Sequence, residues 1–186
     1  MALHDRIRKL TYEDYARIPD DGLRHEIIDG EHYVSPSPKR KHQRLSMVLG
    51  SCLHVFVEDH QLGEVYAAPF DVIFSEHDIV QPDLMFIAND RLPVLTEDNV
   101  QGAPSLIIEI LSKSTRRLDE QLKLDLYDRS GALEYWMLNP FRKSARIFRR
   151  SGERLLLVAE LSAAARDVLT SPLLPGLEIP LAELFP

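Results

Sequence analysis

The chain has 186 residues, a length that fits one domain burying roughly 70% of the surface its unfolded form exposes. At 45% hydrophobic and 27% charged residues, with 8 glycines, its composition excludes a collagen-like, low-complexity or wholly disordered chain. One cysteine, Cys52, excludes an internal disulfide framework and a cysteine-based zinc site, and a net charge of −7 confines any nucleic-acid contact to local basic patches.

Thr11 is placed to cap a short helix over 11–18 that stops before Pro19. Residues 25–28 and 31–34 read as a hairpin around Asp29-Gly30. Leu45, Val48, Leu49, Cys52, Leu53 and Phe56 recur at helical spacing, which predicts a long amphipathic helix over 38–58, closed by Gly63. Strand-like runs follow at 64–67, 70–74 and 79–87, and 90–97 reads as irregular or a short helical turn. The run 105–111, bounded by Pro104, predicts a buried central strand. Leu118, Leu122 and Leu126 at i, i+4 and i+8 predict a helix over 118–130 lying on the sheet, ended by Gly131. Residues 133–138 form another strand, with Trp136 and Tyr135 in the core, and 145–148 with 154–158 form a hairpin around Ser151-Gly152. A proline-punctuated tail carries Pro172, Pro175, Pro180 and Pro186. The helix between strands 106–111 and 133–138 predicts a parallel crossover. The expected fold is α/β, a mixed β-sheet flanked by helices on both faces, as one domain over 1–186. No apolar run approaches the roughly 20 residues that cross a bilayer, so no membrane partner is expected. The first residues lack a signal-peptide core, and a reducing cytoplasm is the expected location.

Two carboxylates stand out. Glu109 sits among Leu106, Ile107, Ile108, Ile110 and Leu111, and burying it costs several kcal/mol unless it is paired or binds a metal. Asp83 follows Pro82, which cannot donate to a ladder and so marks a strand start, edge or bulge. Two such charges about 5 Å apart repel by about 3 kcal/mol at an effective dielectric near 20. A divalent cation between them removes that penalty, and Mg²⁺ or Mn²⁺ suits one or two carboxylates with waters and phosphate oxygens. A lysine two residues after Glu109 would share its face, but that position is Leu111. Lys113 and Lys123 are the two candidates to supply the amine; the ordinary reading of Lys123 is a solvated pair with Asp119. Lys123 is expected to point to the acids and Lys113 to swing into solvent, since Lys113 lies past the strand end before Ser114-Thr115. Glu26 is either a third carboxylate or an exposed hairpin residue. His42 either orients a phosphate or a water or is an ordinary helix-surface histidine. Lys39, Arg40, Lys41 and Arg44 form one basic patch, and Arg142, Lys143, Arg146, Arg149, Arg150 and Arg154 another; each is either a phosphate contact or a solvated face.

Pro82-Asp83, with Glu109 26 positions on in Ile-Ile-Glu-Ile-Leu-Ser, resembles the PD-(D/E)XK nuclease pattern. The stretch from Gly102 to Thr115, then Lys123, Tyr127 and Gly131-Ala-Leu-Glu-Tyr-Trp136, resembles the Uma-two family (domain of unknown function 820) of bacterial endonucleases. His25-Glu26-Ile-Ile-Asp29-Gly30-Glu31 and His42-Gln43 match the same pattern. The resemblance implies a restriction-endonuclease-like core. It places the acidic pair on Asp83 and Glu109 and a migrated lysine on Lys123; Lys113 stands where the family carries proline. The first expectation is therefore a Mg-dependent DNA endonuclease, with a homodimer needed to cut both strands. The alternatives are a nuclease-fold binding or interaction module with weak or lost catalysis, and hydrolysis of a small phosphate compound.

Overall fold

The computed structural model describes residues 8–112 and 118–185. Helix α1 (Tyr12–Tyr15) starts on Thr11, whose hydroxyl accepts from the Asp14 N–H while the Asp14 carboxylate accepts from the Thr11 N–H. That reciprocal cap fixes the helix start. Strands β1 (Arg24–Ile28) and β2 (Glu31–Ser35) pair across Asp29-Gly30, both at positive φ (53° and 78°) as a tight hairpin turn requires.

Helix α2 (Arg40–His60) buries Leu45, Leu49, Leu53 and Val57, a stripe at successive i+4 positions; Cys52 is exposed rather than part of it. The helix closes at Gln61 in the left-handed conformation, not at Gly63. Gly63 instead opens β3 (Gly63–Ala67), where a Cβ would lie 2.0 Å from the Ile87 carbonyl oxygen. Strand β4 (Asp71–Ser75) follows. The run 79–87 is two strands, not one: β5 (Asp78–Val80) and β6 (Leu84–Ala88), which lie in different sheets. Pro82 has no N–H to extend a ladder, and the chain passes from one sheet to the other at this point. A 3-10 turn (Asn89–Val94) leads to β7 (Asn99–Gln101), a short strand not expected from the sequence.

Strand β8 (Leu106–Ile110) is buried at every position. A π-helical turn (Leu118–Lys123) runs into α3 (Leu124–Arg129). Asp119, Lys123, Leu126 and Tyr127 are buried there, and of the leucine stripe expected at 118, 122 and 126, Leu118 and Leu126 pack into the core while Leu122, within the π-helical turn, is exposed. Strands β9 (Glu134–Asn139), β10 (Ser144–Ser151) and β11 (Arg154–Ser162) follow. The proline-punctuated tail is folded into a further hairpin, β12 (Val168–Ser171) and β13 (Leu174–Pro180), with α4 (Leu181–Leu184). Its Leu169, Leu174, Leu177, Ile179 and Leu181 are buried.

The fold is mixed α/β. One sheet has the order β11-β10-β9-β8-β6-β3, a second the order β2-β1-β5-β4-β7, and β12 pairs with β13. Strands β8 and β9 run parallel, as the crossover through α3 requires, and β4 pairs parallel with β7. Alternation along β6, β8 and β9 divides the six-stranded sheet into two apolar faces. Leu84, Phe86, Leu106, Ile108, Trp136 and Leu138 pack with the α2 stripe and the C-terminal hairpin. Met85, Ile87, Ile107, Tyr135 and Met137 pack with Leu126 and Tyr127 of α3 and with Ile28, Val72, Val80 and Val100 of the five-stranded sheet. Glu109 belongs to this second face, between two sheets and a helix. Among the described residues no helix is long and apolar enough to cross a membrane.

Truncating Leu49, wholly buried under the six-stranded sheet, leaves a cavity. Leu49→Ala is expected to lower stability by about 2–5 kcal/mol, and Cys52→Ser, on the exposed side of the same helix, by less than about 0.5 kcal/mol. Urea unfolding of the two variants checks the orientation of α2.

Candidate active site

Three elements each bring a carboxylate to one place. Glu26 lies on β1, on the same strand face as Arg24 and Ile28. Asp83 lies in the link between β5 and β6, where the chain changes sheets. Glu109 lies on β8. Glu26, Glu109 and Lys123 are each 1% exposed and Asp83 is 3% exposed. At that depth an unpaired charge costs several kcal/mol, so the partners decide whether the arrangement is stable.

Lys123 supplies most of the pairing. Its ammonium donates to Glu26 Oε1 at 2.8 Å and to Glu109 Oε1 at 2.9 Å, and lies 3.7 Å from Asp119 Oδ1. One turn on, Tyr127 donates its hydroxyl to the same Glu109 oxygen at 2.6 Å. Glu26 Oε1 also accepts from the Gln81 N–H at 2.9 Å, which ties β1 to the link carrying Asp83. Asp83 Oδ1 accepts from Arg24 Nη2 at 2.8 Å. Asp83 Oδ2 accepts from the Ile110 N–H at 2.7 Å and lies 2.9 Å from His42 Nε2. The Ile110 bond seats Asp83 beside the residue that follows Glu109.

The residues singled out in the sequence fall into two adjoining groups: Glu26, Glu109 and Lys123 bond directly, Asp83 and His42 bond each other, and the Ile110 and Gln81 N–H groups link the two through the main chain. Lys113 lies outside the described residues. Glu26 is buried rather than on an exposed hairpin face, and His42 turns from α2 onto Asp83 rather than into solvent. Lys123 keeps Asp119 within ion-pair range but is not a solvated pair. Arg24 and the Tyr127 hydroxyl were not expected in the network. The signal for Arg24 is its i, i+2 relation to Glu26, which puts both on one strand face; that for Tyr127 is its i+4 relation to Lys123. Trp136 and Tyr135 are core residues, as expected.

The two central acids are tuned in opposite directions. Burial pushes the Asp83 carboxyl up, but the His42 hydrogen bond, the Arg24 guanidinium and the Ile110 N–H together outweigh it and hold the group down at about 2. Burial raises Glu109, and although Lys123 opposes this, Asp83 and Glu26 add to the rise. Burial alone would lower Lys123; Glu109, Glu26 and Asp119 reverse that and hold it firmly as an ammonium. The Tyr127 hydroxyl is raised by burial and by Glu109, and stays a donor.

Carboxylate oxygens are the hard donors that Mg²⁺ or Mn²⁺ takes, so Asp83, Glu109 and Glu26 fit such an ion in kind. Among the described residues no group of three or more His, Cys, Asp or Glu side chains converges as an ion-binding cage. Arg24, Lys123 and His42 hold the acids instead. Grooves border the network: one of about 490 Å³ is lined by Arg24, His42 and Asp83, so Asp83 is reachable from the surface.

Residues 12–182 match the model of the Uma2 family, described as "Putative restriction endonuclease". An uncharacterized protein of Synechocystis sp. is 31% identical over 165 residues, covering 86% of this chain and 91% of that protein. The crystal structure of a protein from Anabaena variabilis, described as "a putative nuclease belonging to DUF820", superposes with a TM-score of 0.76 at 18% identity, covering 95% of this chain and 97% of that one. That likeness is one of fold.

Two measurements test the network. Lys123→Met leaves Glu26 and Glu109 buried without their ammonium and is expected to cost about 3–5 kcal/mol, part of which Glu109→Gln in the same chain restores. A loss below about 1 kcal/mol would contradict the pairing. Glu109, raised in the fold, holds its proton more tightly folded than unfolded, so its contribution to stability grows as the pH falls toward and through the ordinary carboxylate range. Asp83, lowered to about 2, contributes stability above the ordinary range that is lost only as the pH falls through that value. The difference between the wild-type and Glu109→Gln stability curves from neutral to mildly acidic pH is expected to show the first slope.

Proposed function

The chain belongs to the Uma2 family, and from that membership and its buried acid–lysine network we propose that it is a metal-dependent endonuclease that hydrolyses phosphodiester bonds in DNA. The whole of 1–186 is read as one nuclease-like domain. The observation that carries the reading is that Lys123 bonds Glu109 while the next residue's N–H seats Asp83, which lines a groove open to the surface. Asp83 and Glu109 would hold Mg²⁺ or Mn²⁺, with Glu26 as a further oxygen donor. Bound there, such an ion would supply Lewis acidity toward the scissile phosphate and a water of lowered pKa.

The chain's own groups have separate roles. Asp83, kept ionised by Arg24 and His42, offers a permanent negative charge. Glu109 is held in one orientation because Lys123 and Tyr127 both grip Oε1. The Lys123 ammonium orients the attacking water or stabilises negative charge developing on the phosphate, and being already desolvated it needs no reorganisation to do so. His42 fixes Asp83 and stands at the groove edge, placed to meet a phosphate. Cutting both strands takes two such sites, supplied by a homodimer.

A second reading rests on one observation. Both Asp83 oxygens and Glu109 Oε1 are already engaged by groups of the chain, with Arg24 on the acid that would bind the ion. A protein of this kind would keep the nuclease fold as a binding module with weak or no catalysis.

Plasmid incubated with Mg²⁺ or Mn²⁺ is expected to be nicked or linearised, with Asp83→Asn and Glu109→Gln each slowing cutting by at least about 10²-fold. Cutting that persists in both variants would overturn the site assignment. No cutting by the unmutated protein with either ion would favour the second reading.

A further inference from the structure

The two basic patches differ in how their charges are used. Arg146 bonds Glu120; Arg149 bonds Glu134 and the Thr170 carbonyl; Arg150 bonds the carbonyls of Ala132, Glu153 and Asp128; Arg154 bonds Asp128. These guanidiniums are committed to holding β9, β10, β11 and α3 together. Lys39, Arg40, Lys41 and Arg44 are exposed and form no ion pair among the described residues. They sit at the start of a 21-residue helix whose first turn carries no acid and whose N-cap gives no side-chain hydrogen bond. In a chain of net charge −7, a cationic cluster left without acids suits an anionic ligand.

Two grooves are lined by this cluster, and a third adjoins one of them through Pro36, Ser37, Pro38 and His42. The adjoining groove, about 490 Å³, holds Asp83, Arg24 and His42. The middle groove, about 490 Å³, adds Lys39, Arg40, Lys41 and Phe141 to the shared residues. The last, about 520 Å³, shares Arg40, Lys41 and Pro140 with the middle one and adds Arg44. The three grooves are thus neighbours, leading from Asp83 past His42 to the basic turn, and together form a trough. Its cations serve two adjoining grooves, Lys39 in one, Arg44 in the other and Arg40 and Lys41 in both, which suits a chain of phosphates better than one small anion. His42, at the junction, has a buried Nδ1 with no hydrogen-bond partner.

Phe141 adds the second element. It is 55% exposed, on the wall of the middle groove. Its turn is tied down, because Asn139 Oδ1 accepts the N–H groups of both Phe141 and Arg142 at 3.0 Å. A large aromatic ring held outward on a fixed turn, beside unpaired cations, is the arrangement by which proteins grip a single strand: phosphates on the cations, a base stacked on the ring. We propose that this trough binds a single strand of nucleic acid, with its phosphates along Arg40, Lys41 and Arg44 and an unpaired base on Phe141, and delivers it to Asp83. The inference rests on the nuclease reading for the identity of the polyanion and goes beyond it in naming the surface and the strandedness.

The test uses the full chain and a fluorescein-labelled oligodeoxythymidylate, in EDTA so that no cutting intervenes, with a duplex of mixed sequence as comparison. Arg40→Ala/Arg44→Ala is expected to weaken oligonucleotide binding at least about tenfold and to reduce the log–log salt slope by roughly 0.7 for each phosphate that is no longer neutralised. Phe141→Ala is expected to weaken single-strand binding about fivefold or more with the salt slope unchanged, and to leave duplex binding nearly unaffected. Arg154→Ala, from the other patch, is expected to change neither. All four positions are exposed, so thermal unfolding should show these variants folded. Binding that is unchanged in both trough variants, equal loss of duplex binding in Phe141→Ala, or no oligonucleotide binding by the unmutated protein overturns the proposal. Plasmid cutting measured in parallel separates the two claims. Cutting by a protein that ignores the trough substitutions removes the track and leaves the nuclease, whereas the expected binding pattern without any cutting removes the nuclease and leaves the track.

Discussion

The Lys123 ammonium is buried among Glu26, Glu109 and Asp119, and three parts of the fold meet on it. Glu26 belongs to the five-stranded sheet, Glu109 to the six-stranded sheet, and Lys123 to the π-helical turn of the crossover between β8 and β9. Desolvating any one of these charges alone costs several kcal/mol, so each is tolerable only while the others are in place. The ion network thereby adds a tie of mutual need to the apolar packing that already joins these parts. Tyr127 and the Gln81 N–H take up further hydrogen-bonding capacity of the two glutamates.

Asp83 depends on the same junction from another direction. It occupies the short link where Pro82 ends ladder pairing, and its carboxylate is seated by the Ile110 N–H at the end of β8. A change of sheet, which backbone pairing cannot bridge, is bridged by a side chain. The neighbours then separate the two acids: Arg24 and His42 keep Asp83 low, while burial and the surrounding carboxylates raise Glu109. Pairs of acids pushed apart in this way are characteristic of sites that do proton chemistry, though structural ion networks do the same. The π-helical turn carrying Lys123 fits either use, since such turns recur at functional positions.

Glu109 was legible in the sequence because five apolar neighbours make a carboxylate there costly, and Lys123 because a compensating amine had to be found nearby. The hairpin at Asp29-Gly30, strand β8 and the parallel crossover followed from turn chemistry and periodicity. Glu26 and His42 remained open because each lies in a segment whose pattern fits an exposed face as well as a buried one. Only pairing with the distant Lys123 and Asp83 buries them. The division of 79–87 into two sheets was hidden for a related reason: Pro82 announces an interruption but not where the chain goes next. The C-terminal hairpin was missed because its prolines read as a tail, whereas its leucines are buried against α2. Glu134 lay inside the expected strand over 133–138 without its burial being legible, because the residues it bonds, Trp136, Arg149 and Ser171, come from three separate strands.

On the nuclease reading, the junction where the two sheets meet is also the place that would take a divalent ion. Anomalous diffraction from a crystal of the unmutated protein soaked in Mn²⁺ tests it most directly. The account predicts a single strong anomalous peak coordinated by Asp83 and Glu109, with Lys123 still beside Glu109. A peak only at other positions, or none at Mn²⁺ concentrations that saturate carboxylate sites, would contradict it and leave the network a structural tie alone.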